Sequence, residues 1–155
     1  MALKSDRYEL QTDISFFYNE GTATRGGVVV HDTAGSGAAM DQGVNLVKYA
    51  AATSASRPVG VLLNDVVDKD LTRTHLNHHK DEVQKGGKVT VLRKGYVVTN
   101  SITGSVSAGD PAYACHVNAG NLRADSPGSS GVLVVGRFMS TKDEDGYAKV
   151  EVNLP

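Results

Sequence analysis

Three histidines stand close together in the most polar stretch of the chain: His75, His78 and His79 within Asn64–Lys85. On a helix, His75 would share a face with His78 or His79, the i, i+3 and i, i+4 spacing that can hold a transition metal. Asp81, Glu82 or His31 would complete such a ligand set. The pattern departs from a metalloenzyme helix, because there is no HExxH run and no cysteine accompanies it. Asp65, Asp68 and Asp70 offer oxygen ligands to a hard cation, yet they do not follow the spacing of a calcium loop. Solvated loop charges account for both groups, and no metal or cofactor is expected.

The remaining reactive residue types lead to the same place. Ser129-Ser-Gly131 is not a nucleophile elbow, since no strand-turn-helix context surrounds it. Cys115 precedes His116, but neighbours on a strand point to opposite faces, so no thiolate–imidazolium pair forms between them. Cys115 is expected to be a small core residue. Gly35-Ser-Gly37 lacks the Lys-Ser/Thr that follows a phosphate-cradling loop, and no GxGxxG can be completed around it. Basic residues are not interleaved with aromatics as on a base-stacking surface. No catalytic residue is assigned, and the expectation is a protein that is not an enzyme.

Composition sets the frame for that reading. With 155 residues the chain can bury a sizeable core in one domain. Sixteen basic and 17 acidic residues leave a formal net charge of −1, so no strong field draws it to nucleic acid or an anionic membrane. No apolar run reaches membrane-spanning length, and the first residues lack the apolar core of a secretory signal. The single Cys115 excludes an intramolecular disulfide, which suits folding in a reducing host cytoplasm.

The elements that would position any site are strands. In Tyr8–Tyr18 the residues Tyr8, Leu10, Ile14, Phe16 and Tyr18 share one parity, and Glu9, Gln11, Asp13 and Ser15 take the other. Phe17 makes the end of the segment aromatic on both sides. An ordinary edge strand accounts for this pattern. So does an extended arm, residues 1–25, that lies on another protein by strand addition and leaves residues 26–155 as a single β domain. On the second reading Tyr8, Leu10, Ile14, Phe16, Phe17 and Tyr18 are the partner-binding residues. The remaining β domain would then fold without them.

Within that domain Val28–His31, Asn45–Ala50 and Arg57–Leu63 read as short strands, and Asn64–Lys85 as a long polar loop. Lys88–Asn100 reads as two β runs reversed at Lys94-Gly95, where glycine allows a positive φ. Ala108-Gly-Asp-Pro-Ala-Tyr113 is a turn leading into a strand. Val132–Met139 is joined through Asp145-Gly146 to Tyr147–Val152, where Ala148, Val150 and Val152 alternate with polar neighbours as in a half-buried hairpin strand. Val59-Gly-Val-Leu62 and Val135-Gly-Arg-Phe138 share one unit; either this is a coincidence of β-rich composition, or Gly60 and Gly136 mark equivalent places where a strand bends sharply or meets another backbone closely.

Pro58-Val-Gly-Val-Leu62, Gly95-Tyr-Val-Val98, the Gly109-Asp-Pro-Ala-Tyr113 turn, Val135-Gly-Arg-Phe138 and the closing Asp145-Gly-Tyr-Ala-Lys-Val-Glu-Val152 hairpin follow one another in an order that resembles the head decoration, or capsid cement, proteins of tailed bacteriophages. The resemblance covers residues 57–155 and rests on short motifs. It implies an all-β fold, a small β-barrel or β-tulip, forming homotrimers on the outer surface of the virion. There it would bind major capsid protein and stabilise contacts between its subunits. Two other readings stay open: a small metal- or ligand-binding β-barrel using His75, His78 and His79, and a structural domain of a head fibre.

Overall fold

A computed structural model describes residues 3–21, 23–32, 45–50, 57–65, 82–126 and 133–155. Every regular element among them is a strand: β1 (Tyr8–Tyr18), β2 (Ala23–Thr24), β3 (Val28–His31), β4 (Leu46–Tyr49), β5 (Pro58–Asp65), β6 (Glu82–Val83), β7 (Lys88–Thr99), β8 (Pro111–Ala114), β9 (Leu122–Arg123), β10 (Gly136–Phe138) and β11 (Ala148–Asn153). The mainly-β reading holds. Nine strands form one sheet in the order β1-β4-β3-β5-β7-β11-β10-β8-β9, and a further β1–β7 pairing closes β1, β4, β3, β5 and β7 into a ring. β2 and β6 form a separate two-stranded ladder. Among the described residues, no helix is long and apolar enough to cross a membrane.

Continuous apolar runs in the sequence become strands covered on both faces. Val29, Leu62, Val89 and Val91 join Phe16, Tyr18 and Val47 in one cluster, to which all five ring strands contribute. Val28, Val30, Val61, Leu63, Leu92 and Val97 point the other way. They meet Phe138, Val150, Val152, Leu122 and Ala112 in a second, larger cluster. β3, β5 and β7 therefore separate two cores. β11 has only one buried face, so Ala148, Val150 and Val152 are buried while Lys149, Glu151 and Asn153 turn outward.

Two sequence expectations change. The expected reversal at Lys94-Gly95 does not occur, because β7 runs unbroken from Lys88 to Thr99. Gly95 has a positive φ of 141°, and a Cβ there would collide with the carbonyl oxygen of Tyr8. Glycine serves close approach to β1 at this position, not a turn.

The segment expected to be a separate arm is also seated in the chain's own sheet. β1 pairs antiparallel with β7 from Tyr8↔Tyr96 to Phe17↔Lys88, and its end pairs parallel with β4 at Phe17↔Leu46 and Tyr18↔Val47. The single-parity face is broken by register shifts, the last between Asp13 and Phe16. An extra residue in one strand turns the following side chains to the opposite face. Tyr8, Leu10 and Ile14 thus stay outside while Phe16 and Tyr18, of the same parity, point into the ring.

The close-approach reading of Gly60 and Gly136 holds at both positions. A Cβ on Gly60 would strike the Leu92 carbonyl of β7, and one on Gly136 the Glu151 carbonyl of β11. The Asp110 turn also forms, with the Ser107 amide donating to Asp110 Oδ2 at 2.8 Å ahead of β8. Asn64 and Asp65 belong to β5, and Glu82–Val83 to β6. Gln84 and Lys85 follow β6, and residues 66–81 of the expected polar loop lie outside the described residues, as does Ser129-Ser-Gly131.

The β10–β11 hairpin has the expected antiparallel register, Gly136↔Val152 to Phe138↔Val150. Asp143 organises its loop. Its Oδ1 accepts from the amides of Tyr147 at 2.8 Å and Asp145 at 3.0 Å, and its Oδ2 accepts from Lys4 Nζ at 3.1 Å. The Tyr147 amide, and then Lys4, hold the Asp143 carboxyl below its ordinary value.

Two outcomes test this architecture. Deletion of residues 1–19 removes a ring strand with two buried aromatics, so the remainder is expected to lose cooperative melting by circular dichroism; Phe16→Ala alone should cost about 3–5 kcal/mol. A cooperatively folding deletion variant would show that β1 is dispensable to the fold. Asp143→Asn tests the hairpin loop through pH. A carboxyl with a lowered folded pKa stabilises fully above its unfolded value, near 3.8, and loses that contribution as the pH falls through the folded value. The variant should therefore melt below wild type near neutral pH and converge with it in acid.

Candidate docking site

β1 carries the outward apolar residues that the sequence singles out. Tyr8, Leu10 and Ile14 are 54%, 66% and 52% exposed, whereas Phe16 and Tyr18 are 7% and 2% exposed and belong to the ring core. Phe17 is half-buried, with Lys88 Nζ 5.9 Å from its ring centroid. Burial pushes the Tyr18 hydroxyl well above its usual pKa, and the neighbouring Glu20 carboxylate adds to this. Of the six residues expected to meet a partner, three are surface-facing, one is intermediate, and two stabilise the chain itself.

The exposed part of β1 stays extended because β7 holds it. Gln11 pairs with Lys94 and Thr12 with Leu92 on either side of a register shift. At the shift before Phe16, Asp13 Oδ1 accepts from both the Ser15 amide, at 2.8 Å, and the Ser15 hydroxyl. Partial burial works against the Asp13 anion, but the two Ser15 bonds outweigh it and its pKa is lowered. The bulge is thereby pinned by a charged acceptor.

Register then builds a row across four strands. Tyr8 lies opposite Tyr96 of β7, Tyr96 opposite Glu151 of β11, and Glu151 opposite Arg137 of β10. Directly opposed side chains share one face of a sheet. The Tyr8 and Tyr96 rings stack with centroids 5.9 Å apart and an interplanar angle of 26°. Lys149 Nζ sits 3.9 Å from the centroid of the half-buried Tyr96 ring, a cation–π contact worth at least about 0.5–1 kcal/mol. Arg137 and Glu151 form an exposed ion pair at 3.4 Å.

This row bounds an open cleft of about 480 Å³. Tyr8 and Leu10 stand on one side and Met139 and Arg137 on the other, with Gly95, Tyr96 and Lys149 between them. Past Arg137 the surface continues to the exposed Val134. Lys94, Tyr96, Arg137, Met139 and Lys149 are absent from the site read in the sequence. The polar positions of β11 were visible through their alternation, but nothing local links them to Tyr8.

The other candidate groups are placed as follows. Cys115 is buried, and its Sγ accepts from the amides of Asn118 at 3.3 Å and Val117 at 3.4 Å. Burial raises the thiol pKa, but these bonds, Thr103 and the charge of Arg123 outweigh it and lower the pKa. The His116 ring contacts Arg123, with Nδ1 at 3.3 Å from Nη1. His31 is exposed, its ring 5.7 Å from that of Phe16. His75, His78, His79, Asp68 and Asp70 lie outside the described residues. Among the described residues, no group of three His, Cys, Asp or Glu side chains is gathered to hold a metal ion.

Among curated proteins there is no match to this chain. One family model matches residues 7–153, a span that contains every strand from β1 to β11; its description is structural cement protein (E217 gp24/Pam3 gp6).

Proposed function

The chain belongs to the family of phage structural cement proteins, and from that premise we propose that it binds the outside of a phage head by docking the exposed face of β1 onto major capsid protein. The observation that carries this reading is the trio Tyr8, Leu10 and Ile14, exposed on a strand whose backbone is already ordered by β7. Burying one such side chain is worth about 1.5–3 kcal/mol. A preformed strand also avoids the ordering cost that a free arm would meet on binding. Many copies on one particle turn modest single-site affinity into cumulative reinforcement of subunit contacts.

The copies are proposed to group as homotrimers on the shell, after synthesis in the host cytoplasm. No disulfide is required for that folding, since Cys115 stands alone. The role is structural, with no catalytic step. It also differs from that of a head-fibre domain, because the docking surface is a broad sheet face suited to a lattice.

Undecorated heads mixed with purified protein supply the test. Wild type is expected to co-sediment saturably, and Leu10→Asp/Ile14→Asp to bind about tenfold more weakly or worse while melting at the wild-type temperature. Undiminished binding by the double variant would remove this face from the interface. Density on the decorated particle should show three copies around a common axis, and pairs at two-fold positions would exclude the trimer.

A further inference from the structure

We propose that the cleft between β1 and the β10–β11 hairpin takes an extended, acidic segment of the shell protein, one in which a carboxylate stands beside an apolar side chain. This deepens the docking reading above and rests on it. The apolar requirement comes from Tyr8, Leu10 and Met139, which line the cleft and are exposed. The acidic requirement comes from its charge. Lys94, Arg137 and Lys149 line it together with a single carboxylate, Glu151, and Glu151 is engaged by Arg137.

Neither Lys94 nor Lys149 has a carboxylate partner among the described residues, so three cations against one anion leave two positive charges in the cleft. They stand out on a chain whose formal net charge is −1. Lys149 is held in place above the Tyr96 ring, so its ammonium is positioned before any ligand arrives. The cleft is open and about 480 Å³, within the range that accommodates a few side chains of a peptide.

Two lysines without a carboxylate partner among the described residues are few for a polyphosphate chain, which is held by many phosphate contacts. They suffice to select a carboxylate and to fix the register of a peptide already attracted by the apolar wall.

The test uses the full chain in two arms. In the first, wild type, Lys94→Glu/Lys149→Glu and Lys94→Arg/Lys149→Arg are compared for co-sedimentation with undecorated heads at low and high salt, all three checked for equal melting. The expected result is binding about tenfold weaker or worse for the glutamate variant, recovery in the arginine variant, and weakening of wild type as salt rises. Wild-type binding by the glutamate variant would overturn the acidic-segment proposal while leaving the docking reading intact.

In the second arm, nuclear magnetic resonance follows Tyr8, Leu10 and Tyr96 during titration with the peptide Ac-Leu-Glu-Leu-Glu-Leu-NH2, its Lys-for-Glu counterpart, and oligothymidylate. Selective response to the acidic peptide supports the proposal even if the heads do not bind, an outcome that would sink the docking reading alone. Equal response to both peptides, no response, or a stronger response to the oligonucleotide overturns it. Self-association lost in Lys94→Glu/Lys149→Glu, with no response to the acidic peptide, would assign the cleft to a second copy and overturn it as well.

Discussion

Strand β7 is the constraint on which the structure depends, because every side of it must be satisfied. Its backbone groups need partners on both edges, and its apolar side chains need cover on both faces. β1 runs along one edge for nearly the whole strand, while β5 occupies the first half of the other edge and β11 the second half. On the faces, Val89 and Val91 enter the ring core, while Leu92 and Val97 enter the larger cluster beneath β8–β11. At its end Thr99, fully buried, donates from Oγ1 to the Gly26 carbonyl at 3.0 Å and accepts from the Ser101 amide at 3.1 Å. A buried hydroxyl used in both directions carries no desolvation penalty from an unmet bond. The other long-range features of the fold are ways of meeting these demands.

The same demands explain why β1 has a double character. Where it faces the ring it must supply Phe16 and Tyr18, which pack with Val29, Val47 and Leu62. Ahead of Phe16 no layer covers it, and Tyr8, Leu10 and Ile14 remain on the surface. Register shifts reconcile the two halves within one continuous strand. The core residues Phe16 and Tyr18 and the exposed Tyr8, Leu10 and Ile14 are thus carried by one continuous strand.

Polar groups near this face serve the same geometry. Arg137 and Glu151 are exposed and contribute little to stability as a pair, about 0–1 kcal/mol. Their consequence lies in charge distribution, since they neutralise one another and leave Lys94 and Lys149 unmatched within the cleft. The hairpin that carries Arg137 and Lys149 is held by the Asp143 loop and tied back to the N-terminal residues through Lys4, whose Nζ also lies 4.3 Å from the Tyr147 ring centroid.

What the sequence determined by itself was local. The alternation of Ala148, Val150 and Val152, the Asp110 turn and the strands at residues 28–31 and 46–49 follow from short-range sterics and burial, and the structure contains each; the repeated Val-Gly unit marked Gly60 and Gly136, but the backbones that crowd them, at Leu92 and Glu151, are set by the fold. Tyr8, Leu10 and Ile14 are exposed, but so are Glu9, Gln11 and Thr12, and two register shifts fall between Glu9 and Thr12, so the two-sided pattern of the sequence does not carry over to that part of β1. Tertiary structure decided where the alternation fails. The inward turn of Phe16 and Tyr18 depends on a register shift against β7, a strand about 70 residues away in the chain. Lys94-Gly95 has the composition of a reversal, yet β5, β11 and β1 keep β7 straight, and glycine is required there by the Tyr8 carbonyl. The cleft lay beyond the reach of any local pattern. Tyr8, Tyr96, Arg137 and Lys149 come from four strands, and only pairing across the sheet brings their charges and rings onto one face.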